Sequence, residues 1–218
     1  PDEIEVTLLT LSTTVSNEFG DDLEFTPEVT VFDQYNNRVP DVDIGLSTVG
    51  KDIEFEATNS GETDESGEVT FAIQSTTAQD SPRFTFMENE SGESTTVIMR
   101  SFEPASPDQL TGAPATETAG VEGTITLTLS DIFGNTFEGK NISVNSSGSL
   151  GGLIGSSGPD TNTTDGDGNV TFSFNETTTG TYGVAFRADG SSATNTTEVT
   201  VVPAVVDSVT LSPADTQT

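Results

Sequence analysis

The chain has 218 residues, of which 36 are acidic and six are basic, so its formal net charge is −30. It contains no cysteine and no histidine, which excludes disulfide bonds and the Ser–His and Cys–His nucleophile systems of hydrolases. A charge of this size and sign also disfavours nucleic acid and anionic membranes as partners.

The first predicted strands lie between residues 4 and 31. Apolar residues at alternate positions of residues 4–15 predict a strand that switches between two sheets. Leu23 to Val31 predict a second strand, in which Pro27 falls on the apolar face. Proline cannot donate to a ladder, so we expect an edge or a bulge at Pro27. The segment Asp33–Asn37 follows as a turn, where the asparagine pair can accept positive φ.

Further alternating segments follow at intervals of 8 to 15 residues up to Arg100, a pattern typical of a β-sandwich. Their apolar positions are Val42, Ile44 and Leu46; Ile53, Phe55 and Ala57; Val69, Phe71 and Ile73; Phe84 and Phe86; and Val97 and Met99.

The whole pattern then repeats. Val121 to Leu129 alternate and lead into Asp131-Ile132-Phe133-Gly134-Asn135, each position 98 residues after its counterpart. Later segments recur at offsets of 100 to 102, which small loop insertions explain. We therefore expect an all-β chain with sandwich domains over residues 1–103 and 104–203. Residues 204–218 repeat the first strand, and we expect either the start of a third unit or a strand that pairs with a neighbouring subunit.

The charge has two interpretations. An acid excess with only two lysines and four arginines is typical of a folded protein that works in molar salt, where self-repulsion is screened. The alternative is a disordered acidic chain. The alternating apolar strands favour the folded, halophilic interpretation.

Candidate chemistry is sparse. A carboxylate pair for glycoside hydrolysis stays open, but 36 carboxylates produce such pairs by chance, so we expect no enzyme and no cofactor. The weak metal candidates are Asp165, Asp167 and Asn169, whose oxygens alternate with glycines as in a calcium loop. The later glutamate of that loop is missing, so a polar hairpin is the stronger interpretation, and a structural cation remains the alternative.

The glycine-rich segment Gly148–Gly158 lacks the Lys-Ser/Thr of a phosphate loop and predicts a plain loop. Sugar binding usually uses exposed aromatic rings. Tyr35 and Phe133 occupy equivalent turns, where we expect them to pack at the end of the sandwich, so a glycan site is possible but unsupported. Seven Asn-x-Ser/Thr sequons are glycosylation candidates: Asn89, Asn141, Asn145, Asn162, Asn169, Asn175 and Asn195.

Both units resemble the bacterial Ig-like repeats of the invasin and intimin type. The resemblance rests on VTVFDQYNNRVPDVDIGLS with LTLSDIFGNTFEGKNISV, and on TDESGEVTFAI with TDGDGNVTFSF. Unit one departs from the family pattern at Asn36, where glycine is usual, and unit two at Phe137. The resemblance implies tandem Ig-like Greek-key β-sandwiches, as in haloarchaeal cell-surface proteins, that act as spacers or adhesion scaffolds.

We therefore expect a non-enzymatic structural or adhesive rod module of an extracellular surface protein or filament from a halophilic archaeon. Its expected partners are proteins, namely the same or neighbouring surface subunits, with glycans as a further possibility. The alternative is a virion spike, fibre, tail or capsid-decoration protein of a haloarchaeal virus. No apolar run reaches the 18 residues of a membrane span and no signal peptide is recognised, so direct membrane insertion is not expected.

Overall fold

A computed structural model of the chain describes residues 3–8, 12–16, 25–146, 150 and 161–208. Throughout these residues, strands and turns make up the structure and no helix occurs. None of them therefore forms a helix of the length and apolarity that a membrane span requires. The all-β prediction is confirmed. Two compact units are present: Pro1–Ser106 with Asp131–Asn135, and Pro107–Ser130 with Thr136–Thr218.

The strands of unit 1 are short, because turns interrupt the chain every few residues. They are β1 (Glu3–Leu8), β2 (Ser12–Thr14), β3 (Pro27–Phe32), β4 (Asp43–Val49), β5 (Ile53–Phe55), β6 (Ser60–Glu62), β7 (Glu68–Thr70), β8 (Ile73–Ser75), β9 (Gln79–Asp80), β10 (Arg83–Glu88), β11 (Ser94–Ile98) and β12 (Ser101–Glu103).

Unit 1 is built on two main sheets, with the strand orders β1–β3–β7 and β11–β10–β4–β6. Smaller sheets, β2–β12–β9 and β5–β8, complete it. The chain changes sheet between β1 and β2, because β1 pairs antiparallel with β3 whereas β2 pairs parallel with β12. The predicted switch between two sheets is confirmed.

Unit 2 has longer strands in the same arrangement: β13 (Gln109–Gly112), β14 (Ala115–Thr118), β15 (Glu122–Ser130), β16 (Asn141–Ser146), β17 (Thr161–Thr163), β18 (Asn169–Asn175), β19 (Gly180–Ala188) and β20 (Thr194–Val202). They form the sheets β13–β15–β18 and β14–β20–β19–β16–β17. Ala204 to Ser208 have no regular secondary structure, and the rest of the predicted third-unit strand, residues 209–218, lies outside the described residues.

Each unit has its own apolar core between its sheets, made by the inward residues of the alternating pattern. The same aromatic pair occurs in both cores. Phe71 and Phe86 have ring centroids 5.5 Å apart in unit 1, and Phe172 and Phe186 have theirs 5.1 Å apart in unit 2. Tilted pairs at this separation add about 0.5–1.5 kcal/mol beyond the burial of their area.

Pro27 differs from its predicted environment. It begins β3, which is the central strand of its sheet, so the predicted edge position is wrong. Because proline has no N–H, Pro27 cannot donate to the opposing segment, and that segment is divided into β7 and β8 at Phe71. Ile125 stands in the matching place of unit 2, and there β18 continues without a break through Phe172.

One glycine in each unit holds a turn against the strand beside it. Gly67 has φ +72°, and a Cβ there would lie 2.9 Å from the Arg38 Cβ and 2.9 Å from the Val39 nitrogen. Gly168 has φ +73°, and its Cβ would lie 2.6 Å from the Thr136 Cβ. Both the backbone conformation and the close approach therefore require glycine.

We predict that Gly67→Ala lowers the free energy of unfolding by roughly 2–4 kcal/mol, the sum of left-handed strain and steric overlap. Gly92→Ala is the matched control, because Gly92 has φ +79° and open space around its Cβ position. It should cost only the strain, about 1–2 kcal/mol. Urea unfolding followed by circular dichroism measures both, and equal costs would show that the close packing is unimportant.

Candidate functional site

A carboxylate organises the first turn of each repeat. Asp33 Oδ1 accepts hydrogen bonds from the backbone amides of Tyr35 at 2.8 Å and Asn37 at 2.9 Å, and Asn37 Nδ2 donates to Oδ2 at 3.0 Å. Asn36 takes φ 63°, the positive value expected of the asparagine pair. Asp131 makes the same bonds with Phe133 and Asn135 and is fully buried.

These bonds favour the ionised form of Asp33. The side chain of Asn37, followed by its backbone amide, lowers the pKa of Asp33 from its usual 3.8. Because the folded-state pKa is depressed, Asp33 stabilises the fold above the unfolded-state pKa. That contribution is lost as the pH falls through the folded-state pKa.

A second carboxylate turn precedes the strands β7 and β18. Asp64 Oδ1 accepts from the amides of Ser66 at 2.8 Å and Glu68 at 3.1 Å. Asp165 Oδ1 accepts from the amides of Asp167 at 3.0 Å and Asn169 at 2.8 Å. The two turns have the same geometry, so the Asp165 turn is a hairpin connection of the kind that unit 1 also uses.

The three weak metal candidates lie in this turn, where two of them bond to protein groups. Asp165 Oδ1 is aimed at two backbone amides, and Asn169 Oδ1 accepts from Thr128 Oγ1 at 2.7 Å. Over the described part of the chain, no group of three or more Asp or Glu side chains is arranged to hold a metal ion. The geometry favours a structural role for the turn.

An acidic cavity of about 300 Å³ lies at one end of the β11–β10–β4–β6 sheet. It is lined by Asp41, Val42, Asp43, Glu62, Glu88 and Glu90. Glu88 is 3% exposed, and hydrogen bonds from Ser91 and from the Glu90 amide lower its pKa. These hydrogen bonds favour the ionised form of Glu88.

A second cavity, of about 360 Å³, lies on the outward face of the same sheet. We call it the neutral groove, because no charged residue lines it. Its lining residues are Gly45, Leu46, Ser47, Asn59, Ser60, Thr85, Met87, Asn89 and Ser94. No local sequence pattern indicates this groove, since its residues come from four strands and two loops that only the sheet brings together.

The turns and the sandwich agree with a known family. Residues 8–99 match the family model described as bacterial Ig-like domain (group 1). The resemblance of the repeats to Ig-like domains of the invasin and intimin type is therefore confirmed, as is the all-β sandwich fold.

Solved structures include similar Ig-like chains. The D0–D1 domains of intimin share 17% identity at a TM-score of 0.37, with 90% of this chain and 97% of that chain covered. Invasin, a bacterial integrin-binding protein, shares 21% identity at a TM-score of 0.44, with 92% of this chain and 40% of that chain covered. Domains 4 and 5 of the S-layer protein SbsC share 14% identity at a TM-score of 0.38, with 92% of this chain and 98% of that chain covered. Likenesses at these TM-scores carry no argument about function. No curated protein matches the chain.

The asparagines of the seven sequons differ in their exposure to solvent. Asn89, Asn141 and Asn175 are exposed, and Asn169 is partly buried. Asn162 is 7% exposed and its Nδ2 donates to the Thr171 carbonyl at 2.7 Å. Asn195 Nδ2 donates to the Leu110 carbonyl at 3.0 Å. Since a glycan attaches to Nδ2, these hydrogen bonds withhold Asn162 and Asn195. Asn89 Nδ2 also donates to Asp43 Oδ2, at 2.8 Å, so the folded units present Asn141 and Asn175. The side chain of Asn145 lies outside the described residues.

The aromatic residues of the first turns differ from expectation. Tyr35 is 75% exposed, so its predicted packing role is wrong. The hydrogen bonds that Asp33 accepts fix this turn without any contact from the Tyr35 ring. Phe133 is partly buried against apolar side chains, as predicted.

In the glycine-rich segment only Leu150, which is buried, is described; the rest of residues 148–158 lies outside the described residues.

We predict that Asp165→Asn leaves unit 2 nearly as stable as the wild type, because an asparagine Oδ1 accepts the same two amide bonds. Asp165→Ala should lower the free energy of unfolding by about 1–2 kcal/mol, since it leaves two turn amides without their acceptor. Thermal unfolding in calcium and in chelator measures both variants. A calcium-dependent stability that Asp165→Asn abolishes would contradict the structural role and restore the cation site.

Proposed function

We propose that the chain is a non-enzymatic structural and adhesive module of an extracellular surface protein or filament, made by a halophilic archaeon. The observation that carries this proposal is the repetition of one sandwich, with the same pair of carboxylate turns, along the chain. A repeated unit lengthens a surface structure without changing its chemistry, which suits a spacer or scaffold.

The mechanical part of the proposal follows from the strand ladders. In unit 2, β19 and β20 pair over eight residues, and β15 and β18 pair over seven. Pulling on the unit loads many backbone hydrogen bonds at once, so such sandwiches resist extension. The expected partners are proteins, namely neighbouring subunits of the same surface, and surface glycans.

The charge of the chain supports the proposed adaptation to high salt. Between residues that the structure describes, one ion pair is seen, joining Arg38 to Glu68. Residues 1–103 carry 23 acids and four bases, and residues 104–218 carry 13 acids and two bases. The net charges of −19 and −11 are therefore left to solvent ions, and molar salt shortens the Debye length to about 3 Å.

Electron microscopy of native material, labelled with an antibody to this chain and kept in high salt, tests the proposal. Thin rods or filaments attached to cell envelopes are the expected result. Label confined to virus particles would overturn the cellular assignment in favour of a spike, fibre, tail or decoration protein of a virion. Label confined to the cell interior would contradict a surface role altogether.

Lowering the salt concentration should unfold the chain in order of charge. Dialysis from 1 M to 0.1 M salt lengthens screening from about 3 Å to about 10 Å, so carboxylates repel one another over a longer range. We expect the melting temperature to fall, and residues 1–103, with a net charge of −19, to melt before residues 104–218, with −11. Scanning calorimetry measures both transitions, and a melting temperature that is equal or higher in low salt would refute the halophilic adaptation.

A further inference from the structure

The outward face of the β11–β10–β4–β6 sheet has a stretch without carboxylates, which ends at the cross-strand pair Asp43–Glu62. Its central positions form three cross-strand rows: Ile98–Arg83–Val49, Thr96–Thr85–Ser47, and Ser94–Met87–Gly45–Ser60. These ten residues include one arginine and no carboxylate, in a chain with 36 acids. The outward face of the β1–β3–β7 sheet, in contrast, carries Glu3, Glu5, Glu28 and Glu68.

The neutral groove lies at the third of these rows. Gly45 sits between Met87 and Ser60 in the cross-strand register, and it has no side chain to fill the space between them. A Cβ at Gly45 would lie 2.9 Å from Asn89 Oδ1, so this oxygen borders the groove. Met87 is 45% exposed and supplies an apolar surface.

The polar groups of the groove are uncharged, and several of them have unused hydrogen-bonding capacity. The hydroxyls of Ser47, Ser60 and Ser94 form no hydrogen bond to any described residue. Asn59 Nδ2 donates to the Leu46 carbonyl at 3.3 Å, and Asn89 Nδ2 donates to Asp43 Oδ2 at 2.8 Å. Both amide oxygens therefore remain as acceptors, beside three hydroxyls that can donate or accept.

The size of the face excludes a large partner. Across the four strands there are three spacings of about 4.8 Å, so five residues along each strand cover roughly 240 Å², well below the roughly 800 Å² per partner of a stable protein pair. A cavity of about 360 Å³ lies instead within the range of small-ligand sites. A second copy of the chain is thus too large an occupant for the groove.

The chemistry of the groove selects a neutral ligand. The groove has no basic side chain to pair with an anion and no carboxylate to pair with a cation. Sugar hydroxyls both donate and accept, which matches serine hydroxyls and amide oxygens, and the C–H face of a sugar ring can contact Met87. We propose that the neutral groove binds a neutral saccharide. This inference rests on the adhesive role proposed above and deepens it.

The test is a titration of the full chain in molar salt with neutral tetrasaccharides of glucose, galactose, mannose and N-acetylglucosamine, followed by NMR. The expected result is saturable binding of at least one of them, with amide shifts centred on Gly45, Ser47 and Asn59. Met87→Glu should weaken that binding by about tenfold or more, because its carboxylate would lose solvent against a neutral ligand.

Val49→Glu is the matched control. Val49 is 71% exposed on the same sheet face, two rows away from Gly45, and the substitution adds the same charge. It should leave the affinity within about twofold, as expected for a surface charge outside the site. Equal loss in both variants would overturn the proposal, because the effect would then not depend on where the carboxylate lies on the sheet face.

Two further results would also overturn it: no binding of any of the four saccharides, or amide shifts centred away from the groove, for example at Tyr35. Failure here is distinguishable from failure of the surface role. Electron microscopy can find rods on cell envelopes whether or not a saccharide binds, whereas label in the cell interior would remove the adhesive role on which the groove depends.

Discussion

The structure depends on the way that aspartate side chains satisfy backbone amides at the ends of strands. Turn amides at a strand end have no ladder partner, and an unsatisfied amide costs free energy when protein covers it. Asp33 and Asp64 each accept two such amides in unit 1, and Asp131 and Asp165 do the same in the second repeat. Four carboxylates therefore fix four chain reversals.

The turns also fix the pairing of the strands. Gly67 brings its turn within contact of Arg38 and Val39, and the Val31 amide donates to the Gly67 carbonyl at 3.1 Å. In unit 2 the Leu129 amide donates to the Gly168 carbonyl at 3.0 Å. A shift of one residue in either strand would turn its apolar face to solvent. The carboxylate turns and the apolar cores therefore specify the same register, and this agreement lets a chain with only 31% hydrophobic residues fold.

Sequence alone predicted the parts of the fold that depend on local pattern. Alternation located β3, β15 and β18, and the 98-residue offset matched Asp33 to Asp131. The central place of Pro27 was missed, because strand order is set by distant segments. The hydrogen bond from Asn195 to the Leu110 carbonyl was also missed, although Val199 and Val201 already give the inward phase of β20. The neutral groove needed the register of Gly45, Ser60 and Met87, which no local pattern contains.

Hydrogen exchange of the turn amides tests the central claim most directly. The amides of Asn37, Glu68 and Asn169 all donate to a turn aspartate. If these carboxylates hold the sandwich ends, the three amides should exchange no faster than the amides of the neighbouring strands. Their exchange should then require unfolding of the whole unit. Exchange as fast as that of an exposed loop, while the strands remain protected, would contradict the account.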